Sequence, residues 1–183
     1  MKETELRFLI NKNKFTELLS QFKIISCTKY DQVFFIEKPD KQLQIRSKDN
    51  KWQLRLKRGI SNDTDVESEF DFSKNQLNNI LQFCHKLGYN KLFVIRKERS
   101  QVIYDDISIT LDHYLAPEIF VVELEICNND NIDKMRNLAS KLGIETYQIE
   151  DVLKLKKKLM KESRLKFNLT STTDLQNLLN ILS

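Results

Sequence analysis

The stretch Glu3-Thr-Glu-Leu-Arg-Phe-Leu-Ile10 decides the fold class. Side chains alternate faces along a strand, so Glu3, Glu5 and Arg7 point one way while Leu6, Phe8 and Ile10 point the other. One ionic face and one apolar face predict a strand of an antiparallel sheet that is packed on a single side. The same period recurs along the chain. In Trp52-Gln-Leu-Arg-Leu-Lys57, Arg55 and Lys57 oppose Leu54 and Leu56. In Val66-Glu-Ser-Glu-Phe-Asp-Phe72, Glu67, Glu69 and Asp71 oppose Val66, Phe70 and Phe72. In Phe120-Val-Val-Glu-Leu-Glu-Ile126, Glu123 and Glu125 oppose Val122, Leu124 and Ile126.

Further strands are predicted at 32–37, 43–47, 92–98, 100–104 and 107–113, separated by turn signals at Lys38-Pro-Asp-Lys, Lys48-Asp-Asn-Lys, 59–65 and Tyr104-Asp-Asp. Helical spacing predicts helices over 12–22, 73–87 and 131–142, the last two closed by Gly88 and Gly143, and a further helix over 149–159. About eight short strands, mostly without crossover helices between them, give an α+β chain with a largely antiparallel sheet.

Composition sets the outer limits. A chain of 183 residues suits one domain with a short appendage. Hydrophobic residues make up 40 %, enough for a core, and 31 % of residues are charged. The N-terminus carries charges where a secretory signal needs an apolar run, and no apolar stretch approaches a membrane span, so a cytoplasmic location without membrane contact is expected. Cys27, Cys84 and Cys127 are widely spaced and read as buried thiols rather than a zinc site or disulfide. From Lys154 onward, seven Lys and Arg face two Asp and Glu, a net +5, while the preceding residues sum to −1. A boundary is therefore expected near 154, with a body over 1–153 and a basic helical extension over 154–183.

Like charges two residues apart on one strand face repel, and three Glu-x-Glu pairs in a small domain call for a compensating partner. If the faces turn inward, Glu3, Glu5, Glu67, Glu69, Glu123 and Glu125 share a lumen with Arg7, Arg46, Arg55, Lys57, Lys97 and Arg99. Clustered carboxylates suit Mg²⁺ or Mn²⁺, and clustered Arg and Lys suit phosphate oxygens. Together they describe a site for a metal-bound polyphosphate. Parity alone does not say which face lies inside.

The chain resembles the CYTH family, the triphosphate tunnel metalloenzymes that include class IV adenylate cyclases and thiamine triphosphatases. Glu3-Thr-Glu5-Leu-Arg7 looks like the family's Glu-x-Glu-x-Lys with Arg in the Lys place, and Phe35-Ile-Glu-Lys-Pro-Asp looks like Tyr-Phe-Asp-Thr-Pro-Asp. Leu43-Gln-Ile-Arg46, Leu54-Arg-Leu-Lys57, Glu67-Ser-Glu69, Lys97-Glu-Arg99, Leu111-Asp112 and Glu123-Leu-Glu125 follow in the family's order, with Tyr147 ahead of the last helix. Over residues 3–153 the resemblance implies a closed eight-stranded antiparallel β-barrel, the triphosphate tunnel, with helices packed outside. It implies that Arg7, Arg46, Lys57, Lys97 and Arg99 bind triphosphate, to which Arg55 adds an extra cation where the family often has Thr, and that Glu3, Glu5, Asp112, Glu123 and Glu125 hold Mg²⁺ or Mn²⁺. Glu67 and Glu69 would order the basic residues or hold a second metal, and Glu5, Arg7 and Glu125 would act in catalysis. Arg7 keeps the charge but not the proton chemistry of Lys, and Phe35 removes the phenol of the family's Tyr, which argues against thiamine triphosphate.

The implied function is a metal-dependent triphosphatase acting on inorganic triphosphate or a nucleoside triphosphate, as a monomer or homodimer. One alternative is an adenylate cyclase that makes cyclic AMP and pyrophosphate from ATP. Another is a non-catalytic module that binds polyphosphate or RNA through the basic helix.

Overall fold

The computed structural model describes residues 3–36, 41–48, 51–61, 64–127, 132–149 and 152–182. The strands are β1 (Glu3–Ile10), β2 (Ser26–Phe35), β3 (Lys41–Lys48), β4 (Lys51–Ser61), β5 (Thr64–Phe72), β6 (Lys91–Tyr104), β7 (Ile107–Leu115), β8 (Glu118–Cys127), β9 (Gln148–Ile149) and β10 (Lys166–Asn168). The helices are α1 (Lys12–Gln21), α2 (Leu77–Lys86), α3 (Ile132–Lys141), α4 (Val152–Glu162) and α5 (Thr172–Leu182). The chain is α+β, and its assigned strand ladders are antiparallel. The strand order is linear, with β5 and β9 as its ends.

Two compact units are distinguished, residues 1–29 with 97–162 and residues 30–96 with 163–183. In the first unit β6, β7, β8, β1 and β9 follow one another. The alternation read in β1 is realised here: Leu6, Phe8 and Ile10 join Val122, Leu124, Ile126, Ile109 and Leu111 in one core. Two helices cover that core, α1 through Phe15 and Leu18 and α3 through Met135, Leu138 and Ala139. Each apolar side chain so enclosed contributes about 1.5–3 kcal/mol. The start of α1 is fixed by Asn11, whose side chain accepts a hydrogen bond from the Lys14 amide. Gly143 ends α3 at φ +61°, a conformation that favours glycine. Because α1 and α3 take the apolar face, the ionic residues of β1, β7 and β8 lie on the opposite face.

In the second unit β5, β4, β3, β2 and β6 follow one another, and β10 adds to β6 through Lys166↔Phe93 to Asn168↔Lys91. Val33, Leu43, Ile45, Trp52 and Phe72 pack with Leu77, Leu81 and Cys84 of α2 and with Leu178 and Leu182 of α5. Ser73 caps the turn before α2 in a capping box with Gln76. The expected boundary near 154 falls inside α4, which buries Leu155 and Leu159 and keeps Lys154, Lys157 and Lys161 exposed. Among the described residues no helix is long and apolar enough to cross a membrane.

Several local expectations change. The two strands predicted at 92–98 and 100–104 are one fourteen-residue strand, β6. No Gly or Pro interrupts the stretch, and its two-residue period runs through Lys97, Arg99 and Gln101 without a break. The strand predicted at 32–37 begins earlier, at Ser26. Cys27 is exposed rather than buried, because it sits at the entrance of β2 where Ser26 and Lys29 are exposed as well. Cys84 is buried as expected, and the side chain of Cys127 lies outside the described residues. The turn expected at Lys38-Pro-Asp and the tip at Asp49-Asn50 also lie outside them.

Burial pushes the Cys84 thiol up to about 12, so it stays protonated and unreactive at neutral pH. Alkylation of the native protein followed by peptide mapping labels Cys27 and spares Cys84 until denaturant is added. Leu81, fully buried beside Cys84, has no solvent-facing outlet. Leu81→Ala is expected to lower unfolding free energy by about 2–5 kcal/mol, read from chemical denaturation.

Candidate functional site

The first unit sets its charges by strand register. Across β6, β7, β8 and β1 the ionic face reads in rows: Lys97 opposite Tyr114, then Arg99 opposite Asp112, then Gln101, Thr110, Glu123 and Arg7, then Ile103, Ser108, Glu125 and Glu5. Directly opposed residues share a face, so each row is a line of neighbours.

These side chains form one chain of ion pairs. Lys97 Nζ donates to Asp112 Oδ2 at 2.6 Å, and Arg99 donates through Nε to Oδ1 at 2.7 Å and through Nη2 to Oδ2 at 2.6 Å. Arg99 Nη2 also reaches Glu123 Oε2 at 2.8 Å. Arg7 Nε donates to the other oxygen of Glu123 at 2.7 Å, and its Nη2 bonds to Glu5. Exposure is least at Asp112 and greatest at Glu5, with Arg99 at 26 % between them. The Asp112 side chain is 0 % exposed, Glu123 13 %, Arg7 15 % and Glu5 39 %.

The electrostatics follow from that burial. Burial opposes ionisation of Asp112, but Lys97 and Arg99 outweigh it and hold the carboxyl below the usual carboxylate range. Burial lowers the Lys97 ammonium from its ordinary value, with Asp112 opposing. Burial also disfavours the charged forms of Arg99 and Arg7, yet their carboxylate partners raise both. Tyr114, enclosed beside Asp112 and Glu123, is driven up by burial and by those two negative charges, so its phenol stays protonated. Lys97 Nζ lies 5.4 Å from the Tyr114 ring centre, within cation–π range.

A second cluster belongs to the second unit. Arg46 stands opposite Gln53, and Gln53 opposite Asp71; Gln44 stands opposite Arg55, and Arg55 opposite Glu69. Arg46 Nη2 donates to Gln53 Oε1 at 2.7 Å, while Gln53 Nε2 donates to Asp71 at 2.8 Å. Arg55 Nε pairs with Glu69 Oε1 at 2.6 Å. Burial and the neighbouring Arg46 lower the Arg55 guanidinium, with Glu69 opposing. Among the described residues Arg46 Nε is a buried donor with no acceptor. Such a donor suits an anionic oxygen.

Register thus brings together Glu5, Arg7, Lys97, Arg99, Asp112, Glu123 and Glu125 in one unit, and Arg46, Arg55 and Glu69 in the other. Backbone pairing sets Glu3 opposite Cys127 and Lys57 opposite Glu67, but the side chains of Glu3, Lys57 and Glu67 lie outside the described residues. Sequence reading selected the charged members and passed over Tyr114, Thr110, Gln101 and Gln53. Their signal was available, since each occupies an ionic-face position on its strand.

The donor set can be tested against a divalent cation. Both oxygens of Asp112 and both of Glu123 are engaged by Lys97, Arg99 and Arg7. Glu5, which also meets Arg7, faces Glu125 in direct register, so the two carboxylates stand side by side. Among the described residues no three acidic, imidazole or thiol groups converge as metal ligands. Two carboxylates still fit Mg²⁺, which keeps several waters and takes its other ligands from phosphate oxygens.

The CYTH domain profile matches residues 1–166. No match is found among curated proteins. A conserved hypothetical protein from Pyrococcus furiosus is 21 % identical over 81 % of this chain and 94 % of its own, with a TM-score of 0.63. A putative adenylate cyclase from Bacillus halodurans is 18 % identical over 84 % of this chain and 98 % of its own, with a TM-score of 0.63. A putative adenylyl cyclase from Hippeastrum, described as having a dominant triphosphatase activity, is 16 % identical over 79 % of this chain and 89 % of its own, with a TM-score of 0.57. At these identities the likeness is one of fold. With nine-tenths of its length under the family profile and its ionic faces in the register described, the chain belongs to the CYTH domain family.

Proposed function

We propose that this chain is a metal-dependent triphosphatase that hydrolyses the terminal phosphate of inorganic triphosphate or a nucleoside triphosphate. The observation that carries the reading is the chain of ion pairs from buried Lys97 and Asp112 to open Glu5, an array of cations already oriented before any anion arrives. Preoriented charge costs little reorganisation during reaction, and phosphoryl transfer depends mainly on such positioning and charge neutralisation.

In this reading Arg99, Arg7 and Lys97 bind phosphate oxygens, the two guanidiniums offering forked donors that match their geometry. Arg46, Arg55 and Lys57 are the second unit's anion-binding set, with the Arg46 Nε donor supporting that role. Asp112 anchors Lys97 and Arg99, and Glu123 sets Arg99 against Arg7. Glu5 and Glu125 would hold Mg²⁺ or Mn²⁺, with Glu3 two residues before Glu5 in sequence. When bound, the ion supplies Lewis-acid neutralisation of phosphoryl charge. Glu5 and Glu125 also orient water near the transferring group. Closure of the sheet into an eight-stranded barrel and a cytoplasmic location are parts of the same proposal.

Incubation with tripolyphosphate or ATP and Mg²⁺ or Mn²⁺ is expected to release orthophosphate, with Glu5→Gln slowing release about 100-fold. Absence of orthophosphate with either ion contradicts the reading, and cyclic AMP with pyrophosphate as the products from ATP would make the chain a cyclase instead. Asp112→Asn leaves buried Lys97 and half-buried Arg99 without their shared counter-charge. It is expected to cost about 3–5 kcal/mol of stability by denaturant titration.

A depressed folded-state carboxyl stabilises the fold above its unfolded value and loses that contribution as pH falls through the folded one. The part of stability owed to Asp112 is therefore full at neutral pH and lost only below about 3.9, the ordinary Asp value. The difference between wild type and Asp112→Asn, followed by denaturation against pH, should shrink in that acid range.

A further inference from the structure

The ionic face of the first unit changes character at its open end. Past Lys97 and Arg99, the next ionic-face positions of β6 are Gln101 and then Ile103, whose side chain is 62 % exposed. Ile103 stands opposite Ser108, and Ser108 opposite Glu125, so this isoleucine shares a row with the carboxylates Glu125 and Glu5. Ile25, 64 % exposed, donates its backbone N–H to the Gln101 carbonyl at 2.9 Å, which sets a second open isoleucine beside Gln101. The Gln101 amide donates to Ser108 Oγ at 3.1 Å, giving an uncharged hydrogen-bonding pair next to both.

Ile103 is an open apolar side chain on the face that carries the chain of ion pairs, with Gln101, Thr110 and Ser108 as its uncharged neighbours. The buried aliphatics of β6 and β7, Val102, Ile107, Ile109 and Leu111, lie on the other face under the helices. We propose that Ile103 and Ile25, with the Gln101–Ser108 pair, seat the uncharged organic end of an organic triphosphate. The inference rests on the triphosphatase reading and narrows its substrate class.

The chemistry matches an amphipathic ligand. Arg99 and Arg7 take the anionic end, the aliphatic surfaces cover the flat face of a ring, and the amide and hydroxyl meet its polar edge. Four residues of strand separate Arg99 from Ile103, about 13 Å. That is the scale of an extended nucleoside triphosphate from its terminal phosphate to its base. Inorganic triphosphate has nothing to place on the isoleucines.

Calorimetric titration with ATP and with tripolyphosphate, each with Mg²⁺, tests this in wild type, Ile103→Ser and Ile25→Ser. Both substitutions are at open positions and keep the fold. The Kd for ATP relative to that for tripolyphosphate is expected to rise about five-fold in each variant, the scale of losing one modest apolar contact. An unchanged ratio in both variants overturns the inference while leaving the triphosphatase reading intact. A wild-type protein that binds neither anion overturns that reading and this inference with it.

Discussion

Asp112 is the constraint on which the first unit's ionic face depends. Its side chain is fully enclosed, and an isolated ionised carboxylate in such a place costs far more than a small domain can sustain. Lys97 and Arg99 close on both of its oxygens, which keeps it charged but leaves one positive charge in surplus. Glu123 meets that surplus through Arg99, and Arg7 then meets Glu123. Each charge fixes the next, outward from the buried end to Glu5. The fold thereby holds guanidiniums at set positions without a ligand to organise them.

This alternation explains a feature of the composition. Residues 1–153 sum to −1, and on their ionic faces Lys97, Arg99, Arg7 and Arg55 each meet a carboxylate, while the excess of +5 lies from Lys154 onward. Near-neutrality here reflects pairing rather than absence of charge. In the proposed function a polyanion at the first unit's ionic face would compete with Glu123 for the guanidiniums of Arg99 and Arg7, so selectivity rests on geometry more than on net field. The second unit follows the same rule with a different member, since Gln53 bridges Arg46 to Asp71.

Much of this was legible in the sequence because strand parity is strict. Glu3, Glu5 and Arg7 can only lie on one face, and the order of the motifs is similar to that of the CYTH family. Parity does not give depth along that face. Ile119, Val121 and Tyr114 hold ionic-face positions yet are buried, while Gln101 and Ile103 hold equivalent positions and are open. Which end closes depends on tertiary packing that no single strand encodes. Asp112 read as a metal ligand from its motif, but its partners Lys97 and Arg99 lie on the neighbouring strand. The short strands β9 and β10 escaped notice because two or three residues carry no periodicity.

Thermal denaturation in increasing tripolyphosphate, beside sulfate at matched ionic strength, tests the central claim most directly. A ligand bound only by the folded state raises stability by RT ln(1 + [L]/Kd), so the account predicts a melting temperature that climbs with tripolyphosphate and not with sulfate, and that stops climbing in Arg99→Ala. Equal shifts with both anions, or a full tripolyphosphate shift retained in Arg99→Ala, would contradict it.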